Sequence, residues 1–272
     1  MQIQLAGNNC GTSAPLVRVL GRFRVEVLER SVELPIQAQR VVGYLAVTGS
    51  CERRDRLAGR LWPFSAQTRA DATLRTALWR IGSACPGLLD ATRTLVSLRD
   101  DVEVDARMAC AHARLLIDDS TTVLMHGRTD SLWEDDLLPG WDEEWLVIER
   151  ERMRQLRIHG LEALSRYLAC RGRFPEAIDA ALAAIAAEPL RESARSALIE
   201  AHMAEGNHSE AHRELENYRL VLRNELGLDP SATLIDLVHH AVHRPSRLPR
   251  TYSEAHVASF ERERFRGRVD GL

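Results

Sequence analysis

Lysine is missing altogether: every one of the 36 basic side chains among 272 residues is arginine. A phosphate-binding loop of the G-x-x-x-x-G-K-[ST] type is thereby excluded, because its lysine has no candidate. Aromatic residues are scarce, at 5%. The cysteines at 10, 51, 85, 110 and 170 are odd in number and never spaced C-x-x-C. Neither a disulfide framework nor a structural zinc site is expected from them. The longest apolar run, Ala180 to Ala187, has eight residues, far short of the ~20 that cross a bilayer. The first ten residues lack the basic and apolar regions of a secretion signal. The expected location is cytoplasmic, with no membrane partner.

What is present is a division of charge. Residues 1–89 carry 12 Arg against 6 acidic groups, whereas residues 106–245 carry 16 Arg against 24, within a net charge of −3. A basic lobe joined to an acidic one fits a polyanion reader with a protein-facing partner. Solvated faces alone also produce charge blocks. An apolar fraction of 45% is that of a globular chain, and this length predicts about two domains.

Residues 1–15 read as a disordered leader. Leu16–Leu20, Phe23–Leu28 and Val32–Leu34 carry strand patterns and predict a small antiparallel sheet of hairpins. Helical periodicity starts at Gln37. A second helix spans Arg54–Leu61 and stops at Trp62-Pro63, since proline disfavours helix in the residue before it. A third runs over Thr68–Ala84. Leu95–Leu98 and Val102–Val104 read as short strands, with a hairpin turn near Thr92-Arg93-Thr94. Sheet, three helices, then hairpin is the element order of a winged helix over residues 16–105, its third helix the recognition helix and its hairpin the wing. On that helix Ala70, Leu74, Ala77, Leu78 and Ile81 share one face. Arg69, Thr76 and Trp79 lie opposite, with Arg75 and Arg80 on the flanks. Such a helix suits a major groove about 12 Å wide, although an ordinary amphipathic surface helix would show the same wheel.

Residues 106–245 are almost wholly helical in pattern, with helices expected at 106–117, 141–170, 175–187, 190–204, 208–225 and 231–243. Gly172-x-x-x-Glu176-Ala177 recurs as Gly206-x-x-x-Glu210-Ala211, 34 residues later, which is the period of the tetratricopeptide repeat. Pro189 sits where that repeat ends. Ala177, Ala181 and Ala184 are small enough to let paired helices approach closely. Ser231 offers a cap for the last helix. Residues 246–272 read as a flexible, Arg-rich tail. The fold class is therefore mainly α with a small β part: an N-terminal winged helix followed by an all-α tetratricopeptide-like domain.

Several stretches carry a family resemblance. They are Arg18-Val-Leu-Gly-Arg-Phe-Arg-Val25, Leu57-Ala-Gly-Arg-Leu-Trp-Pro63, Ala72-Thr-Leu-Arg-Thr-Ala-Leu-Trp-Arg-Ile81, Leu138-Pro-Gly-Trp141, Glu149-Arg-Glu-Arg-Met-Arg154 and Glu225-Leu-Gly-Leu-Asp-Pro230. In this order they resemble the Streptomyces antibiotic regulatory proteins, over residues 16–245. The resemblance implies an OmpR-type winged helix joined to a bacterial transcriptional activation domain. It further implies a non-enzymatic, nucleoid-associated activator of a secondary-metabolite pathway, a homodimer on DNA. Such a protein binds promoter direct repeats and recruits RNA polymerase through its sigma or alpha subunit. The nucleotide-binding and sensor modules of larger relatives are expected to be absent, and no cofactor is implied.

The DNA face implied by this match is Arg69, Thr73, Arg75, Thr76 and Arg80. Arginine reads guanine O6 and N7, and threonine touches a base edge or a thymine methyl. Arg53, Arg54 and Arg56 open the second helix, where phosphates meet helix N-termini. Arg93 tips the wing. Trp79 either packs on the second domain or lies against the sugar-phosphate backbone, while Trp62 is expected to close the core. Glu134, Asp135, Asp136, Asp142, Glu143 and Glu144 surround Leu137–Trp141 and offer a partner surface; glycosidase or metal chemistry would need a concave apolar surround that the sequence does not indicate. His239 and His243, at i,i+4, have zinc-ligand spacing but no third ligand. Cys110 and Cys170 read as core. A function from another class is an adaptor whose winged helix serves protein contacts instead of DNA.

Overall fold

Residues 14–118 and 136–243 are described in the computed structural model. The leader before residue 14, Glu134, Asp135 and the tail lie outside the described residues. Strands β1 (Leu16–Arg18), β2 (Arg24–Val27) and β3 (Arg30–Ser31) form antiparallel pairs. The third strand begins earlier than the pattern suggests, because Leu28 and Glu29 turn the chain with φ of 51° and 62°. Both angles are positive, as a two-residue hairpin loop of the primed type requires.

Three helices follow, α1 (Ile36–Thr48), α2 (Arg54–Leu61) and α3 (Gln67–Ala84), close to their expected bounds. Between α1 and α2 lies a strand too short to show a period, β4 (Glu52–Arg53). It pairs with β6 (Leu95–Leu98), which also pairs with β5 (Leu89–Ala91), giving the order β4-β6-β5. The α3 stripe behaves as the wheel predicts: Ala70, Leu74, Ala77 and Ile81 are buried and Leu78 packs against the same core.

Residues 102–104 do not join the wing. Strand β7 (Glu103–Val104) runs parallel to β1 in the first sheet. The reason sits one residue on, where α4 (Asp105–Ile117) begins. The Asp105 carboxylate, only 6% exposed, accepts hydrogen bonds from the backbone N–H groups of Val19 (2.9 Å), Leu20 (3.1 Å) and Ala106 (2.7 Å). Burial pushes this carboxyl up, against the pull of those amide donors and Arg18.

The rest of the chain stacks α5 (Glu144–Cys170), α6 (Phe174–Ala187), α7 (Glu192–Glu205), α8 (His208–Leu226) and α9 (Ala232–His243). Gly172 and Gly206 turn between helices at φ of 73° and 86°, values that favour glycine. The repeat also appears in side-chain contacts: Arg166 and Glu200, 34 positions apart on α5 and α7, pair at 3.0 Å. Ser231 caps α9 by accepting from the Leu234 N–H. Ala177, Ala181 and Ala184 are all 0% exposed. Ala177→Leu should therefore overpack a helix–helix contact and lower stability by roughly 1–3 kcal/mol. An unchanged melting temperature would show that the repeat alignment is wrong. Cys170 is exposed, because it ends α5, and Cys110 is only half-buried; neither is the core residue its neighbours suggested.

Candidate nucleic-acid interface

The wing is the β5–β6 hairpin. At its tip the Thr92 hydroxyl oxygen accepts from the N–H groups of Thr94 (3.3 Å) and Leu95 (3.0 Å), which closes the turn around an exposed Arg93. The Thr94 carbonyl in turn accepts from the Arg54 N–H at 2.9 Å, tying the wing to the start of α2. Wing, α2 and α3 thus border one groove of about 380 Å³, lined by Arg53, Arg54, Arg75 and Arg93 together with Asp55, Asp71, Leu74 and Thr94. Residues far apart in sequence meet there.

The remaining predicted residues extend this face along α3. Arg69, Arg75, Thr76, Trp79 and Arg80 are exposed, and Thr73 is half-buried. The Thr73 and Thr76 hydroxyls donate to the carbonyls of Arg69 (2.9 Å) and Ala72 (3.1 Å), leaving acceptor lone pairs and methyl groups for a base edge. Trp79 does not pack on the second domain. It is 63% exposed, and the Arg80 guanidinium lies 5.0 Å from its ring centre. Trp62 does close the core, donating from its indole to Gln37 at 2.8 Å.

Charge pairing sets this face apart from much of the second domain. Arg152, Arg154, Arg166, Arg173, Arg191, Arg195, Arg213, Arg219 and Arg223 each pair with a carboxylate. Arg54, Arg56, Arg69, Arg75, Arg80 and Arg93 have no carboxylate partner among the described residues. Arg53 is the exception on its face. Its fork meets Asp55 twice at 3.0 Å and holds that carboxyl below the usual range.

The second domain docks on α1, on the side of the winged helix that the sequence left unassigned. Arg40 donates to both Glu143 oxygens, at 2.6 and 2.9 Å, and to the Leu61 carbonyl at the end of α2. Gly43 leaves no room for a side chain: a Cβ there would stand 2.9 Å from the Trp141 ring. Trp141 also meets Phe23 at 5.6 Å, and Tyr44 meets Trp145 edge-on at 5.0 Å. Arg150 fastens the intervening turn by donating to the carbonyls of Leu137, Leu138 and Trp141. Glu143 is thus part of a clamp. Its acidic neighbours in sequence concealed that role, whereas a lone glycine inside the α1 pattern was the signal that a backbone approach was needed.

Among the described residues no group of three or more His, Cys, Asp or Glu side chains is arranged to hold a metal ion. His239 lies 6.0 Å from the His212 ring, and the His243 side chain is outside the described residues. No described helix is long and apolar enough to cross a membrane.

Comparison with known proteins agrees with this architecture. Residues 111–242 match the family described as bacterial transcriptional activator domain. The regulatory protein AfsR of Streptomyces coelicolor is 26% identical over an alignment covering 84% of this chain. The chain spans only about a quarter (26%) of that longer relative. Mycobacterium tuberculosis EmbR, solved with a low-affinity phosphopeptide, superposes with a TM-score of 0.67 at 17% identity, over 93% of this chain and 71% of EmbR. That likeness speaks for the fold, a mostly helical body with a small N-terminal β part. Residues 111–242 thus carry the match to a bacterial transcriptional activator domain, in a chain whose sequence is similar to a Streptomyces regulatory protein over most of its own length.

Proposed function

We propose that residues 16–105 read promoter DNA in a sequence-specific manner and that residues 106–245 recruit RNA polymerase, through its sigma or alpha subunit. On this reading the protein is a cytoplasmic, nucleoid-associated activator. Two copies assemble on a direct repeat upstream of a secondary-metabolite operon. The observation that carries the reading is the set of exposed arginines on α3 and the wing that have no carboxylate partner, in a molecule whose second domain pairs so many of its own. Exposed cations lacking internal partners suit phosphates and guanine edges. A basic lobe carrying 12 Arg against 6 acids also attracts DNA as a whole.

The test begins with a footprint on the promoter beside the protein's own gene. Arg75→Ala and Arg80→Ala are then titrated separately on that operator. A lost base contact should cost ~1–3 kcal/mol and relax preference at one position, whereas a lost phosphate contact should weaken all sequences alike and lower the salt slope by about one. Wild-type affinity in both variants would remove α3 from the interface.

A further inference from the structure

The groove between α3 and the wing holds two carboxylates among its arginines, and their situations differ. Asp55 is neutralised by the Arg53 fork. Asp71 has no cation partner among the described residues, although Arg75 stands four residues on in the same helix and the groove contains three further arginines. Asp71 is instead held by an amide: the Gln67 Nε2 donates to its Oδ1 at 2.9 Å and to the Asp55 carbonyl at 3.3 Å. Gln67 therefore braces the carboxylate against the start of α2 without cancelling its charge.

An ionised carboxylate only accepts hydrogen bonds. Facing a phosphate it repels. In the major groove the donors open to it are the exocyclic amines of cytosine and adenine, and acidic side chains pair with cytosine N4. We infer that Asp71 is a specificity-determining residue, one that selects a cytosine at one operator position by accepting from its N4 amine. The same charge disfavours register slips that would bring a phosphate into the groove. Gln67 is its positioning residue. This inference rests on the DNA-binding reading above.

The experiment is sequence selection from randomised duplexes by the full chain, its Asp71→Ala and Asp71→Asn variants, and Gln67→Ala. The wild type should show one position with a cytosine preference of roughly 5- to 150-fold. Asp71→Ala should flatten that position alone while raising affinity for unrelated duplexes. Asp71→Asn should move the preference toward adenine, whose N6 and N7 match an amide. Gln67→Ala, which keeps the carboxylate, should weaken the cytosine preference without redirecting it. Melting temperatures of these surface variants should stay close to wild type. A wild type that selects a motif, with variants that keep every preference, overturns the role of Asp71 and leaves DNA reading intact. A wild type that selects no sequence at all overturns both.

Discussion

A five-base-pair insertion between the half-sites of the operator is expected to abolish cooperative binding and activation while sparing the affinity of a single site. Direct-repeat binding places two winged helices head to tail with half-sites about one helical turn, 10–11 bp, apart, so that both lie on one face of the duplex. Half a turn of rotation puts the second copy on the opposite face. The clamp between α1 and the start of α5 makes this loss severe. Arg40 grips Glu143, and Trp141 is seated against Gly43, so the acidic lobe cannot swivel to compensate. On the proposed reading, its 24 acids against 16 Arg over residues 106–245 would keep it off the phosphates. Promoter fusions with and without the insertion, read beside footprints, check the result. Undiminished activation, or a palindromic footprint from a two-fold dimer, would rule out the tandem arrangement.

Asp105→Ala is expected to destabilise the N-terminal lobe by roughly 3 kcal/mol or more, because each buried N–H left without an acceptor costs about 1–3 kcal/mol. Three such donors, on Val19, Leu20 and Ala106, lose their partner at once. That is a large part of the 5–15 kcal/mol that ordinarily separates folded from unfolded chains. Asp105→Asn should cost less, since an amide oxygen in place of Oδ1 keeps the Val19 and Ala106 bonds while its NH₂ faces the Leu20 N–H. Denaturant titration of the variants checks both values. A midpoint equal to wild type in Asp105→Ala would mean that water satisfies those donors and that β7 is not pinned by this residue.

The helices were legible in the sequence because periodicity and punctuation agreed. Trp62-Pro63 ended α2 at Leu61, and the Gly172 and Gly206 repeat located the turns of the helical stack. The outward face of α3 followed from five small or apolar residues at helical spacing. Other features depended on long-range partners that no local pattern encodes. Two-residue β4 pairs with β6 across more than forty positions. β7 crosses to β1 because a carboxylate at the next residue finds amides some 86 positions away. Arg40 and Glu143 carry no mark of their meeting across 103 residues. The candidate interface divides the same way: its arginines were readable by type, but the convergence of Arg53, Arg54, Arg75 and Arg93, and the presence of Asp71 among them, required the wing to fold back against α2.

The stretch from Leu137 to Leu146 belongs to the activation domain by sequence match and to the winged helix by packing, since Leu137, Leu138 and Leu146 are buried in one core with Val17, Leu45 and Val104. The two halves of this chain are therefore not interchangeable parts. A chimera that fuses a foreign reading head at residue 105 would strand those leucines on a surface shaped for someone else's α1, and would leave Trp141 without its glycine notch. A transplant that carries residues 136–146 along with the head, grafted into the recipient's helical stack, keeps the seam intact. If the proposed DNA reading holds, a new operator preference in this chain is easier to reach by altering α3 in place than by exchanging the whole head.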